Sequence, residues 1–233
     1  MVQATTASAS DARVDGRVVA VAGATGLVGR ALLPRLTADP AVACVHVLVR
    51  RAYDAPHAKV RVHVVDFARL PALPALDEGY LALGTTIAVA GSREAFRAVD
   101  FKANLAVAQA ARAAGARRIG LVSALGADPR SRVFYSRVKG ELEQALGRLP
   151  LQALVIARPS LLLGDREALG QPARGGERLA IAFDRALRPL LPRRWRGIAA
   201  ADVAAALADA LPHAAGTQVL DSASMQGAAT RPH

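Results

Sequence analysis

Tyr135 and Lys139 stand four residues apart in Val133-Phe-Tyr-Ser-Arg-Val-Lys139, and Ser123 lies twelve residues before the tyrosine. On a helix that spacing puts the phenol and the ammonium on one face, one turn apart. A free phenol, with a pKa near ~10, holds its proton too tightly for efficient transfer at neutral pH. A neighbouring ammonium favours the phenolate and lowers that value. A serine hydroxyl beside them can bond the same substrate oxygen. The set reads as a proton-transfer centre for a carbonyl or an alcohol. The Tyr/Lys pair alone says little, since helices often carry an aromatic and a lysine one turn apart. Its weight comes from the elements that must hold it.

Those elements begin with Arg17-Val-Val-Ala-Val-Ala22, a short apolar, β-branched run that reads as a buried strand. Gly23-Ala-Thr-Gly26-Leu-Val-Gly29 follows at once, and Arg30-Ala-Leu-Leu-Pro-Arg-Leu36 has helical spacing. A strand, a glycine turn and a helix in that order aim backbone N–H groups and a helix N-terminus at the place where a pyrophosphate sits. Gly23 supplies the tight turn, Gly26 the close backbone approach and Gly29 the packing of helix on sheet. Gly23, Thr25, Gly26, Leu27, Val28 and Gly29 are therefore candidate cofactor contacts. The spacing is G-x-x-G-x-x-G, not the commoner G-x-G-x-x-G. The next strand, Cys44–Val49, ends in Arg50-Arg51, where an enzyme built for NAD would carry an acid for the ribose 2′-OH. Arginine there suits a 2′-phosphate. NADP(H) is the expected cofactor, with NAD(H) second.

The glycine pattern and the ordered Ser/Tyr/Lys set resemble the short-chain dehydrogenase/reductase superfamily, in its extended and atypical branches. Leu83-Gly-Thr-Thr86, Ala90-Gly-Ser92, Val99-Asp-Phe-Lys-Ala-Asn104, Val122-Ser-Ala-Leu-Gly-Ala-Asp128, Lys139-Gly-Glu-Leu-Glu143 and Arg158-Pro-Ser-Leu-Leu-Leu-Gly164 are similar to the Tat-interacting-protein-like atypical reductases. These are often described as NAD(P)-binding or epimerase-like. The resemblance spans about Arg17 to Leu220. It implies Tyr135 as general acid/base, Lys139 as the ribose-binding lysine and Ser123 as the residue orienting the carbonyl. It also implies Asp66 at the adenine edge, Gly84 and Thr85 beside the nicotinamide, and Asn104 in support of a water relay to the lysine. Arg158, Pro159 and Ser160 then mark the strand end next to the nicotinamide.

Strand and helix patterns alternate along most of the chain, which argues an α/β fold: a doubly wound parallel (Rossmann) sheet with a small C-terminal substrate lobe. Strands are expected at 17–22, 44–49, 60–65, 117–122, 151–157 and 217–220. A single long helix is expected over 92–114, the Tyr/Lys helix over 131–148, and a final helix over 202–211. Ala68-Arg-Leu-Pro-Ala-Leu-Pro-Ala75 offers no crossover helix after the third strand. Residues 1–15, rich in Ala, Ser and Thr, read as a disordered leader, and 16–233 as one domain in which 165–200 is the lobe. Arg166, Arg174, Arg178, Arg185, Arg188, Arg193, Arg194 and Arg196 make that lobe basic, either as a solvated face or as a site for an anionic substrate.

Composition narrows the partners. The net charge of +11 is carried by 30 basic residues of which only Lys59, Lys102 and Lys139 are lysines. This arginine bias, beside abundant alanine, reads as a compositional habit, and no nucleic-acid motif accompanies it. A lysine kept at 139 in such a chain points to a need for a compact ammonium. No apolar run has the length of a membrane span. The lone Cys44 forms no intramolecular disulfide, which suggests a reducing, cytoplasmic location. The five histidines and one cysteine show no metal-ligand spacing. The expected activity is NADP(H)-dependent reduction of a carbonyl or oxidation of an alcohol by a monomer or homodimer. Its alternatives are a cofactor-retaining epimerase or dehydratase, and a low-turnover NADP(H) sensor.

Overall fold

The computed structural model describes residues 15–55, 57–164 and 192–230. β1 (Arg17–Ala22) is an interior strand of the sheet. It sends Val19 and Val21 into the core on one face and Ala20 and Ala22 into the core on the other. That two-sided burial is why the strand is apolar throughout and does not alternate. β2 (Val42–Val49), β3 (Val60–Val64), β4 (Glu78–Leu81), β5 (Arg118–Val122) and β6 (Ala153–Arg158) surround it. β7 (Leu162–Leu163) and β8 (Ile198–Ala199) form a separate parallel pair, and β9 (Gly216–Asp221) completes the main sheet. The seven strands run parallel in the order β3-β2-β1-β4-β5-β6-β9. This is the doubly wound Rossmann arrangement, and its connections change sides between β1 and β4, where such sheets open a crevice.

The α-helices described are α1 (Leu27–Ala38), the single turn α2 (Ile87–Ala90), α3 (Arg93–Arg97), α4 (Asn104–Ala113), α5 (Phe134–Gly147), α6 (Ala200–Ala210) and the single turn α7 (Ser222–Met225). α1 and α6 cover one face, with Leu32, Leu36, Val203 and Leu207 packed on Val45, Val47 and Val155. α4 and α5 cover the other, with Val107, Ala111, Leu142 and Leu146 on Ile119, Leu121 and Ile156. Each fully buried Leu or Ile contributes on the order of 1.5–3 kcal/mol. Among the described residues no helix is long and apolar enough to cross a membrane.

Three features differ from the sequence reading. The helix expected over 92–114 is interrupted by a π-helical segment, Ala98–Ala103, between α3 and α4. β4 was not expected, because Glu-Gly-Tyr-Leu has neither length nor alternation. It is a strand because tertiary contacts satisfy it. Glu78, wholly buried, accepts from Arg17 Nη1 at 2.8 Å on both oxygens and from the Tyr80 hydroxyl at 3.0 Å. His46 and His63, read as unrelated, are paired: their ring nitrogens lie 2.8 Å apart across β2 and β3. The chain makes no helix between β3 and β4, as the prolines implied. An open recess of about 580 Å³ lined by Cys44, His46, Arg61 and His63 lies on these two strands. The leader lies outside the described residues except for Asp15, and so do residues 165–191 of the lobe.

Candidate active site

The loop after β1 is shaped by its glycines. Gly23 has φ +94°, and a Cβ there would meet the Ala82 carbonyl oxygen at 2.3 Å, so only glycine fits. The Gly26 N–H donates to the Gly23 carbonyl at 2.9 Å and closes the turn. Gly29 lets α1 press onto that turn, since a Cβ on it would lie 2.1 Å from the Gly23 oxygen. Gly26 caps α1 without a side chain, and the first turn holds no acid. The leading N–H groups of α1 are thus left for an external acceptor, and a phosphate is the acceptor they suit.

A cleft of about 1530 Å³ starts at this loop and crosses the carboxyl ends of the strands. Ligand pockets for one small molecule run to roughly 300–1,000 Å³, so there is room here for a dinucleotide and a substrate together. Gly23, Thr25, Gly26, Leu27 and Val28 form one wall, and Arg50 and Asp66 lie at the end beside β2 and β3. Gly84 and Thr85 lie along the middle. Ser123, Tyr135, Lys139, Pro159 and Ser160 line the far end. Sequence reasoning therefore brought together residues that one cavity joins. Four candidates do not line it. Gly29 is spent on packing, and Arg51 is exposed away from the cleft while its neighbour Arg50 lines it. Asn104 and Arg158 are bound elsewhere.

Lys139 is tied down by a residue the sequence reading passed over. Its Nζ lies 2.7 Å from Asp100 Oδ1, with both side chains almost fully buried. The other Asp100 oxygen accepts the Thr85 backbone N–H at 2.8 Å. One carboxylate thus joins α5, the π segment and the loop after β4. Burial works to lower the Lys139 pKa, but the charge of Asp100, helped by Tyr135 and Glu143, outweighs it and holds the ammonium above its ordinary value. Asn104, one turn further on, is fully buried, and its Nδ2 donates to the carbonyls of Leu83, Val99 and Asp100 at 3.1–3.3 Å. It ties the π segment to the loop, and the residue touching the lysine is Asp100. π segments concentrate at functional sites, where they re-aim a side chain.

Ser123, at the end of β5, donates to Glu143 Oε1 at 2.5 Å. Arg158 holds the same carboxylate in a fork, from Nε at 3.1 Å and Nη2 at 2.5 Å. That bonding raises the Arg158 pKa further, against some loss from burial. Ser123 thus spends its hydroxyl hydrogen on Glu143, and toward any group in the cleft its oxygen is left to accept. Glu143 follows Tyr135 and Lys139 at successive four-residue steps on one face of α5, a signal the sequence carried. Asp100 gave no such signal. The Ser160 hydroxyl bonds the Arg196 carbonyl and meets Ser222 Oγ at 2.9 Å. Tyr135 stacks its ring at 5.5 Å, tilted, on the buried Phe96.

A family model described as NAD(P)H-binding matches residues 23–164, from the first loop glycine to the end of the β6–β7 strand region. The chain belongs to the NAD(P)H-binding family. It is 39% identical to Protein fmp52, mitochondrial, of Emericella nidulans, over 64% of this chain and 68% of that protein. It is 38% identical to Protein FMP52, mitochondrial, of Eremothecium gossypii, over 63% of this chain and 67% of that one. Among solved structures, MoeE5 in complex with UDP-glucose and NAD matches with a TM-score of 0.62 at 19% identity, over 87% of this chain and 74% of that one. At that identity the likeness is one of fold. The resemblance to short-chain dehydrogenases/reductases and epimerases stands at the level of an NAD(P)-binding Rossmann protein. The expected cytoplasmic location does not stand, because both fungal relatives are named mitochondrial. A single unpaired thiol reports only that no internal disulfide forms, which does not select a compartment.

Proposed function

We propose that the protein is an NADP(H)-dependent oxidoreductase acting on a carbonyl or an alcohol. The observation that carries this reading is the continuity of one cleft from the glycine loop to Ser123, Tyr135 and Lys139. The loop and the open first turn of α1 would hold the pyrophosphate, and Arg50 the 2′-phosphate. Asp66, whose Oδ1 accepts the Ala68 N–H at 2.9 Å, would face the adenine end. The nicotinamide, when bound, supplies or takes the hydride. Tyr135 moves the proton at the substrate oxygen, a contribution of typically ~10²–10⁴-fold. Lys139, held by Asp100, would bond the ribose. Ser123, its proton engaged by Glu143, accepts a hydrogen bond from a substrate hydroxyl or from the phenol.

Calorimetry should give NADPH a Kd at least about tenfold below that of NADH, a difference of ~1.4 kcal/mol. Arg50→Asp should remove most of that preference. Equal affinities in the wild type would end the NADP(H) assignment. With a panel of aldehydes and ketones, Tyr135→Phe should keep cofactor binding and lose turnover by about two orders of magnitude or more. Full activity in that variant would rule out Tyr135 as the proton donor. Cofactor that co-purifies and is not consumed with any panel member would favour an epimerase.

A further inference from the structure

We infer that the substrate is apolar: a carbonyl compound, or the alcohol it interconverts with, whose body beyond the reacting oxygen is a hydrocarbon chain or ring. This deepens the oxidoreductase reading and rests on it for where the reacting oxygen sits. The wall beside Ser123 is hydrocarbon. Ala124 follows the serine directly, and the Leu125 N–H donates to the Pro159 carbonyl at 2.8 Å, which sets Pro159 at the neighbouring strand end. Ala124, Pro159, Leu161 and Leu162 all line the cleft. The Tyr135 side is no more polar. Ala95 precedes Phe96, whose ring stacks on Tyr135, and Val99 precedes Asp100, which holds Lys139; both line the cleft as well. Ligand pockets of this make-up hold an apolar body and orient it with few polar groups.

The polar side chains at this end are spent within the protein. The Ser160 hydroxyl is bonded to the Arg196 carbonyl and to Ser222, and the Ser123 hydrogen goes to Glu143. Thr86 Oγ1 accepts the Val89 N–H at 3.2 Å, and Lys139 is paired with Asp100. Arg50 and Asp66 lie at the other end of the cleft, and Lys102, the remaining charged residue of the described lining, is exposed. What meets a substrate is the Tyr135 hydroxyl and an accepting lone pair of Ser123, enough for one oxygen. A sugar or other polyol would bring several hydroxyls that find no partner here, and burying each unpaired costs free energy. α2 gives an independent observation. Its turn, Ile87-Ala-Val-Ala90, is apolar throughout yet buries none of its residues. Val89, 61% exposed, and Ala90 line the cleft. Apolar surface left open inside a binding cleft is surface that a ligand covers.

The test is calorimetric binding of straight-chain amides, butanamide to octanamide, to the full chain with NADPH and without it. An amide is not reduced, its carbonyl accepts from the Tyr135 hydroxyl, and its N–H donates to the Ser123 oxygen. Kd should fall by about two- to fourfold for each added methylene, the upper figure being that of a fully buried CH₂. Succinamate and gluconamide, which match butanamide and hexanamide in length, should bind at least about tenfold more weakly than their alkyl counterparts. Val89→Asp, a change at an exposed position, should cut the octanamide-to-butanamide affinity ratio by at least about threefold. A flat series would overturn the inference, as would tighter binding of succinamate or gluconamide, which would mark an anion or sugar site. An unchanged ratio in Val89→Asp would overturn the placing of the hydrocarbon on α2, and should that variant not fold, the wild-type series decides alone. The matching aldehydes, supplied with NADPH, should show KM falling in step with the amide Kd. Aldehydes consumed beside a flat amide series would sink this inference and leave the oxidoreductase reading standing. A graded amide series with no aldehyde consumed would sink that reading and leave an apolar-ligand site.

Discussion

Arg158→Met isolates the fork that holds Glu143. The carboxylate is 8% exposed and takes three hydrogen bonds, at 2.5, 2.5 and 3.1 Å, of which two come from Arg158. Methionine keeps much of the aliphatic stem and leaves Glu143 with only the Ser123 hydroxyl. Removing one partner of a buried pair costs about 3–5 kcal/mol. The Arg158 side chain is 34% exposed, so water reaches part of the vacated space, and a loss of roughly 2–3 kcal/mol is the appropriate figure. For a chain of this size that is a drop in Tm of about 4–12 °C. Glu143→Leu combined with Arg158→Met removes the orphaned charge and should recover to within about 1 kcal/mol of wild type. Thermal and urea unfolding of the two single variants and the double variant give the coupling energy. Single variants within about 0.5 kcal/mol of wild type would refute the fork as an energetic unit.

Gly29→Ala forces a methyl against the Gly23 carbonyl at 2.1 Å, so the loop must shift; a loss of about 1–3 kcal/mol in stability and a clear weakening of NADPH binding should appear together in melting and calorimetry. Unchanged binding there would dissociate the glycine loop from the cofactor. His46 has its pKa lowered from 6.5 to about 4 by burial first, then by His63 and Arg61. The unfolded chain therefore binds this proton before the folded one, so its contribution is whole above pH 6.5 and is lost as pH falls towards 4. The half-buried ring is partly screened, which keeps the loss well below that of an enclosed group. His46→Gln should melt with a shallower decline between pH 6.5 and 4, and parallel curves for the two proteins would disprove the assignment.

What sequence could determine here is what local chemistry encodes. A strand buried on both faces must be apolar, so β1 was readable, as was the Gly23–Gly29 turn, whose glycines meet conformational and steric limits that no other residue meets. The four-residue spacing of Tyr135, Lys139 and Glu143 follows from helix geometry, although the third member went unused. The tertiary structure decided the rest, because these features depend on groups far apart in the chain. β4 exists as a strand through Arg17, 61 residues before Glu78. The π segment, Ala98–Ala103, has no residue preference of its own to mark it within a run that otherwise reads as helix. That Asp100 meets the lysine, that Arg50 and not Arg51 lines the cleft, and that Ser123 donates to Glu143 each turn on which way a side chain faces in three dimensions. Spacing along the chain named the groups that could do chemistry, and folding fixed which charges compensate one another.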